Sequence, residues 1–333
     1  MRRREFITLL GGAAAVPLVP FTTRAQQDEH ARRIGVLMPY AESDREGQAF
    51  VAAFRQELQK LGWTEGRNFR IDYRWAIPGD AKSRQQFAKE LVALKPDLIL
   101  TQSTPTTTAL MQQTRTIPIV FAQAIDPVGS GFVASFPQPD GNVTGLISME
   151  PTLASKWLDL LKEIAPRVNR VAMLFNPETA TYAEYFLNPF KAAAVHFGVE
   201  AIAAPVRDTS EFASAIAVQA REPNGGLVVM PDTFMNTHRV EITSLAARYH
   251  LPAVYPYRFF AEVGGLLSYA NDILDSYRRA ATYADRILKG AKPSELPVQG
   301  PVKFHLAINL KTAKTLGLTV PPILLARADE VIE

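Results

Sequence analysis

The residues best suited to chemistry in this chain recur just after short apolar runs. They are Met38-Pro39-Tyr40, Thr101-Gln102-Ser103-Thr104, Gln123-Ala124-Ile125-Asp126, Phe175-Asn176-Pro177, Met230-Pro231-Asp232-Thr233, Tyr255-Pro256-Tyr257 and Tyr269-Ala270-Asn271-Asp272. Nearly all combine a hydrogen-bonding or aromatic side chain with a proline or small residue. A few polar groups among apolar walls is the composition of a small-molecule pocket. Gln102, Gln123, Asn176 and Asn271 can both donate and accept. Asp126 and Asp232 can hold a ligand ammonium, and Tyr40, Tyr257 and Tyr269 can stack on a flat ligand or a cation. Each stretch alone is equally well explained as turn chemistry: Asp126-Pro127 suits a turn start, and Asp232 before Thr233 suits a helix cap. Recurrence in both halves of the chain favours a cleft.

The stretch Pro96 to Leu110 organises the rest. Leu98-Ile99-Leu100 reads as a buried strand that breaks into Thr101-Gln102-Ser103-Thr104, and Pro105 stands where a helix can begin. Proline fits a first helical turn, and a preceding Ser or Thr suits the cap. The strand therefore empties into a helix start whose free N–H groups attract an anion, such as the carboxylate of a small ligand.

Catalytic constellations do not emerge. His30, His196, His238, His250 and His305 are scattered without metal-binding spacing. There is no Gly-x-Ser-x-Gly elbow and no glycine loop ending in Lys-Ser or Lys-Thr. No cofactor and no metal are expected. A pair of carboxylates distant in sequence is not tested by spacing, so a secreted two-lobed α/β enzyme stands as the alternative in a different class.

Charge and cysteine usage narrow the partners. The net charge of +3 arises at the N-terminus, where Arg2, Arg3, Arg4 and Arg24 face one acid, Glu5; without that segment acids and bases balance. A neutral body gives no reason to expect nucleic acid or an acidic membrane as partner. Residues 1–25 read as an export signal: a basic start, a short apolar stretch from Phe6 to Phe21 broken by Pro17 and Pro20, and a small-residue cleavage site near Ala25. Arg3-Arg4-Glu5-Phe6-Ile7 resembles the twin-arginine pattern, with Thr8 where that pattern often has Lys; a general secretory signal is the other reading. With no cysteine there is neither a disulfide nor a lipid-anchored cysteine after the signal. An exported, unanchored chain implies a Gram-negative periplasm, and no later apolar run is long enough to span a bilayer.

Periodicity supplies the elements that must position these residues. Strand-like runs at Ile34–Met38, 68–75, 98–100, 117–121, 170–175, 199–205, 226–230, 252–255 and 266–270 alternate with helical spacing, as in Ala49, Phe50, Ala53, Phe54, Leu58 and Leu61. Such alternation predicts α/β architecture with doubly wound parallel sheets. Gly141-Asn142-Val143-Thr144-Gly145 breaks the rhythm and reads as a turn-rich crossing into a second lobe. The expected division is 31–145 with about 272–300 in one lobe, and 146–271 with about 301–333 in the other. Two such lobes with pockets at strand ends form a hinged clamshell.

Over essentially the whole mature chain the sequence resembles the substrate-binding proteins of ABC transporters that include the tryptophan-binding type. The resemblance lies in Ile34-Gly35-Val36-Leu37, the strand–Ser-Thr-Pro loop, Ile117 to Phe121 leading to Asp126-Pro127-Val128, and Gly141 to Gly145. It is strongest from Leu296-Pro297-Val298 through Phe304 and Ile308-Asn309-Leu310-Lys311 to Ala326–Ile332. It implies a periplasmic binding protein type I fold with three hinge crossings and a ligand between the lobes. It also implies a ligand carboxylate at Ser103-Thr104, cleft-lining loops at Asp126, Asn176 and Asp232-Thr233, and a membrane permease with its ATPase as partner. An aromatic amino acid is one candidate ligand among several. A sugar-repressor-like regulator core is disfavoured by the export signal and by the lack of a helix-turn-helix before Ile34.

Overall fold

The computed structural model describes residues 31–333; the expected export signal lies outside the described residues. The first lobe runs β1 (Arg32–Met38), α1 (Arg45–Lys60), β2 (Phe69–Trp75), α2 (Ala81–Ala93), β3 (Leu98–Thr101), α3 (Thr104–Gln113), β4 (Ile119–Ala124) and β5 (Val143–Ile147). Its five strands lie in the order β2-β1-β3-β4-β5, all parallel. Helices cover both faces, so β3, β4 and β5 are buried at every position, which is why they read as unbroken apolar runs.

The second lobe contains α4 (Leu153–Ile164), β6 (Arg170–Phe175), α5 (Ala183–Phe197), β7 (Glu200–Pro205), α6 (Ser210–Ala220), β8 (Gly225–Val229), α7 (Thr233–Thr237), α8 (Arg239–Arg248), β9 (Ala253–Tyr255), α9 (Arg258–Glu262) and β10 (Leu267–Asn271). The chain then forms α10 (Ile273–Leu288), β11 (Phe304–Asn309), α11 (Leu310–Thr315), α12 (Pro322–Arg327) and β12 (Glu330–Ile332). The second sheet has seven strands, β12-β11-β10-β9-β8-β6-β7, parallel except where β10 meets β11.

Helix α10 follows the second lobe's strands but packs on α1 and over β3, β4 and β5. Its buried face, Ile273, Tyr277, Ala280, Ala281, Ala284 and Leu288, recurs at three- and four-residue spacing, and its alanines allow the helices to approach closely. The chain crosses between the sheets after Ile147, after Asn271 and before Phe304. The crossings lie side by side: Gln299 O accepts from Ile147 N at 2.9 Å, and Lys303 O from Asp272 N at 3.1 Å.

The reading of Gly141–Gly145 as a crossing is corrected: Val143–Ile147 is the edge strand β5, and the crossing follows it. Gly145 is a strand residue of close approach, since a Cβ there would fall 2.0 Å from the carbonyl oxygen of Phe121 on β4. Among the described residues no helix is long and apolar enough to cross a membrane.

Candidate functional site

The loops at the carboxyl ends of β1, β3 and β4 face those after β6, β8 and β9, and the lobes touch across this line. Asp44, which caps α1, accepts from Arg239 at the start of α8 at 3.3 Å. Tyr40 after β1 is 1% exposed, its hydroxyl accepts from Gln102 Nε2 at 3.1 Å, and Asn236 of α7 lies close enough to influence it. Burial pushes the phenols of Tyr40, Tyr182 and Tyr257 up, and each lies in the electrostatic reach of another of the three. All three therefore stay protonated and act as hydrogen-bonding walls.

The first lobe's side of this line is incompletely satisfied. Ser103 is the N-cap residue of α3 with φ 77° and ψ 154°, a backbone region that costs a non-glycine residue about 1–3 kcal/mol. Contrary to the capping expectation, its side chain makes no cap bond; Ser103 Oγ pairs with Thr106 Oγ1 at 3.1 Å. Among the described residues nothing accepts from the backbone N–H groups of Ser103, Thr104 or Thr106. Thr104 Oγ1 donates to Ile125 O at 2.8 Å and accepts from Ile125 N at 3.0 Å, which ties this loop to the one after β4. On that second loop Gln123 is 4% exposed, and neither atom of its amide has a partner. A buried amide without partners costs about 1–3 kcal/mol per group, so a ligand that meets it recovers that energy. Gln102 behaves differently: Oε1 accepts from Tyr277 at 2.6 Å and Nε2 donates to Tyr40 at 3.1 Å, so this side chain positions Tyr40.

The second lobe's side is largely self-satisfied. Asp232 caps α7, where Oδ1 accepts from Phe234 N at 2.7 Å and Met235 N at 3.4 Å. The same oxygen takes Thr179 Oγ1 at 2.5 Å, and Oδ2 takes Asn176 N at 2.6 Å. Burial outweighs these four donors and pushes its carboxyl up to about 6. The ammonium-holding reading of Asp232 is thus replaced by the cap. Asn176 is also committed, with Nδ2 on Arg207 O at 3.0 Å and Oδ1 taking Glu178 N at 2.8 Å. Thr233 opens α7 and is 8% exposed. Asp126 has φ 47° and accepts from Gly129 N at 2.9 Å, so it starts a turn. It still faces Tyr185, whose phenol burial and then Asp126 push up to about 12.

Tyr257 and Asn271 line a cavity of about 270 Å³ at the second hinge. The Tyr257 hydroxyl reaches Ser148 Oγ at 3.0 Å. Tyr269 does not join the site: its ring stacks on Phe304 at 5.8 Å, because β10 and β11 are adjacent, and its carbonyl accepts from Trp157. The structure adds two residues that the sequence reading passed over. Asn236 has a buried, partnerless Oδ1 one helical turn beyond the Asp232 cap, a spacing that signals a shared face. Arg84 of α2 has a buried Nε without a partner and lies in the electrostatic reach of Glu178 on the other lobe. No sequence signal separates it from surface arginines.

Two α/β lobes with three crossings and unsatisfied polar groups between them define a solute-binding clamshell. The chain belongs to the ABC transporter substrate binding protein family, whose model matches residues 42–332. It is 25% identical to a tyrosine-binding protein of Clostridioides difficile over 86% of this chain and 81% of that one. A crystal structure from Streptococcus pneumonia in complex with L-Trp is 27% identical, covers 90% of this chain and 99% of its own, and superimposes with a TM-score of 0.81. A conserved domain protein from Vibrio cholerae shows 29% identity with the same coverages and a TM-score of 0.82.

Proposed function

We propose that this substrate-binding protein is the periplasmic receptor of an ABC importer and closes on a small carboxylate-bearing ligand, an amino acid or a close relative. Residues 1–25 would direct export and be removed near Ala25. Residues 31–147 with 273–300 would move as one lobe, and 148–271 with 301–333 as the other. The ligand carboxylate would sit on the amides of Ser103, Thr104 and Thr106, and Gln123 and Asn236 would bond its remaining polar groups. Tyr40 and Tyr257 would wall its body, and Asp126 and Thr233 would stand at the rim. The observation that carries this reading is the strained, uncapped start of α3 beside the partnerless Gln123 amide.

Closure follows from contacts on both lobes: a ligand that touches both stabilises the closed state more than the open one. No bond in the ligand is broken, and the energy for uptake comes from the permease's ATPase. The relatives named for tyrosine and tryptophan make these two amino acids the first ligands to try. The test is mass spectrometry of what co-purifies with the native protein, with calorimetry of L-Trp and L-Tyr. A receptor returns its ligand unchanged; turnover, or saturable binding only of ligands without an anionic group, rejects the proposal.

A further inference from the structure

Away from the chain crossings, one ion pair among the described residues joins the two lobes. Asp44, at the start of α1 in the first lobe, accepts through Oδ2 from Arg239 Nη1 of α8 in the second, at 3.3 Å. The other ion pairs lie within a lobe, except Lys303 with Asp275 at 3.5 Å, which adjoins the third crossing where the chain itself holds the lobes together. The Asp44 and Arg239 side chains are 13% and 16% exposed, so water and salt screen them less than a surface pair.

Both partners are fixed by their own lobe before they meet. Asp44 Oδ1 accepts from Gly47 N at 2.9 Å, which orients the carboxylate as the cap of α1. Arg239 Nη1 also donates to Asn236 O at 2.9 Å, and its guanidinium lies 5.3 Å from the centre of the Phe259 ring. An exposed pair gains little because two long side chains must be ordered to make it; here that ordering is already done. Glu46, two residues on, does not double the attraction: Glu262 of the second lobe repels it more than Arg239 draws it.

We propose that Asp44 and Arg239 form a latch that draws the lobes together before any ligand arrives, and so sets ligand affinity from outside the ligand's own contacts. This rests on the hinged reading of the chain but on no particular ligand. A pair that parts when the lobes part favours the closed state by its own free energy. Apparent affinity then scales with the closed fraction present beforehand.

The chain has no cysteine, so cysteines introduced at exposed Ile77 in the first lobe and exposed Val195 in the second can carry a donor and an acceptor dye. Single-molecule energy transfer on the ligand-free protein should show closed and open populations. Asp44→Asn removes the charge but keeps the cap, because Asn caps a helix as well as Asp does. It should lower the closed-to-open ratio about fivefold, as should Arg239→Gln, and the double variant should lose no more than either alone. Raising salt from about 0.05 M to about 1 M should lower the ratio of the native chain and leave that of Asp44→Asn unchanged. The latch is overturned if the native ligand-free protein shows no closed population, if the ratio is the same in Asp44→Asn, or if the two single effects add in the double variant. A single unchanging distance in every protein, with L-Trp or L-Tyr as without, overturns the hinged reading as well.

Discussion

Two helix starts at equivalent places, one in each lobe, have opposite chemistry. Helix α7 begins under Asp232, whose carboxylate collects two helix N–H groups, a threonine hydroxyl and the amide of Asn176. Helix α3 begins under Ser103, which holds a strained backbone and caps nothing, and the N–H groups of Thr104 and Thr106 stay open. In one lobe a carboxylate built into the chain caps the helix; in the other no side chain caps it. The contrast teaches that two strand-to-helix loops of similar composition differ in whether the protein has already satisfied its own amides, and only unsatisfied amides are left to bond a ligand.

The largest effect should come from removing the built-in carboxylate. Asp232→Ala leaves four buried donors without an acceptor and should cost about 4 kcal/mol of stability in urea titrations. A loss under about 1 kcal/mol would mean that the loop re-satisfies itself and the contrast is superficial. Next, Ser103→Asp supplies α3 with a carboxylate of its own. It should lower affinity for a carboxylate ligand about 100-fold, the worth of two charge-assisted bonds, with the fold intact. Undiminished binding by calorimetry would remove the Ser103 loop from the site.

A smaller effect is the pH dependence of the Asp232 cap. Its folded pKa of about 6 lies above the ordinary 3.8, so the fold prefers the protonated acid. That contribution is full below about pH 4 and is lost as pH rises through about 6. The stability advantage of the native chain over Asp232→Asn should therefore shrink by roughly 2 kcal/mol between pH 4 and pH 7, as read from urea titrations at each pH. An advantage that grows with pH would show the carboxylate held ionised by its donors. Smallest is Ser103→Gly, which relieves the positive φ and should raise the stability of the ligand-free protein by about 0.5–1 kcal/mol in thermal melts. Destabilisation instead would mean that the Ser103–Thr106 hydroxyl pair outweighs the strain.

Much of the fold was legible because each buried strand and amphipathic helix carries its own periodicity, as in Leu98–Thr101 or the stripe of α10. The loops after β3 and β4 were legible as site candidates, since hydroxyls and amides at strand ends are chemically distinctive. Two misreadings and one open choice share one cause. Gly145 was taken for a turn because a glycine in close approach to Phe121 has the same local signature as a glycine in a bend. Tyr269 was placed in the cleft because the stacking of its ring on Phe304 depends on the pairing of two strands that are far apart in the chain. Asp232 offered two readings, and the choice rested on Asn176 and Thr179, more than 50 residues away.

By itself the sequence determined the alternation of strands and helices, and with it the parallel sheets and the ring of polar loops at their carboxyl ends. These depend on side-chain period and on residues within a few positions of one another. Only the tertiary structure decided which of those polar groups remain available. A donor or acceptor is free or spent according to what the rest of the chain brings within about 3 Å of it, and that distance is set by packing rather than by spacing along the chain.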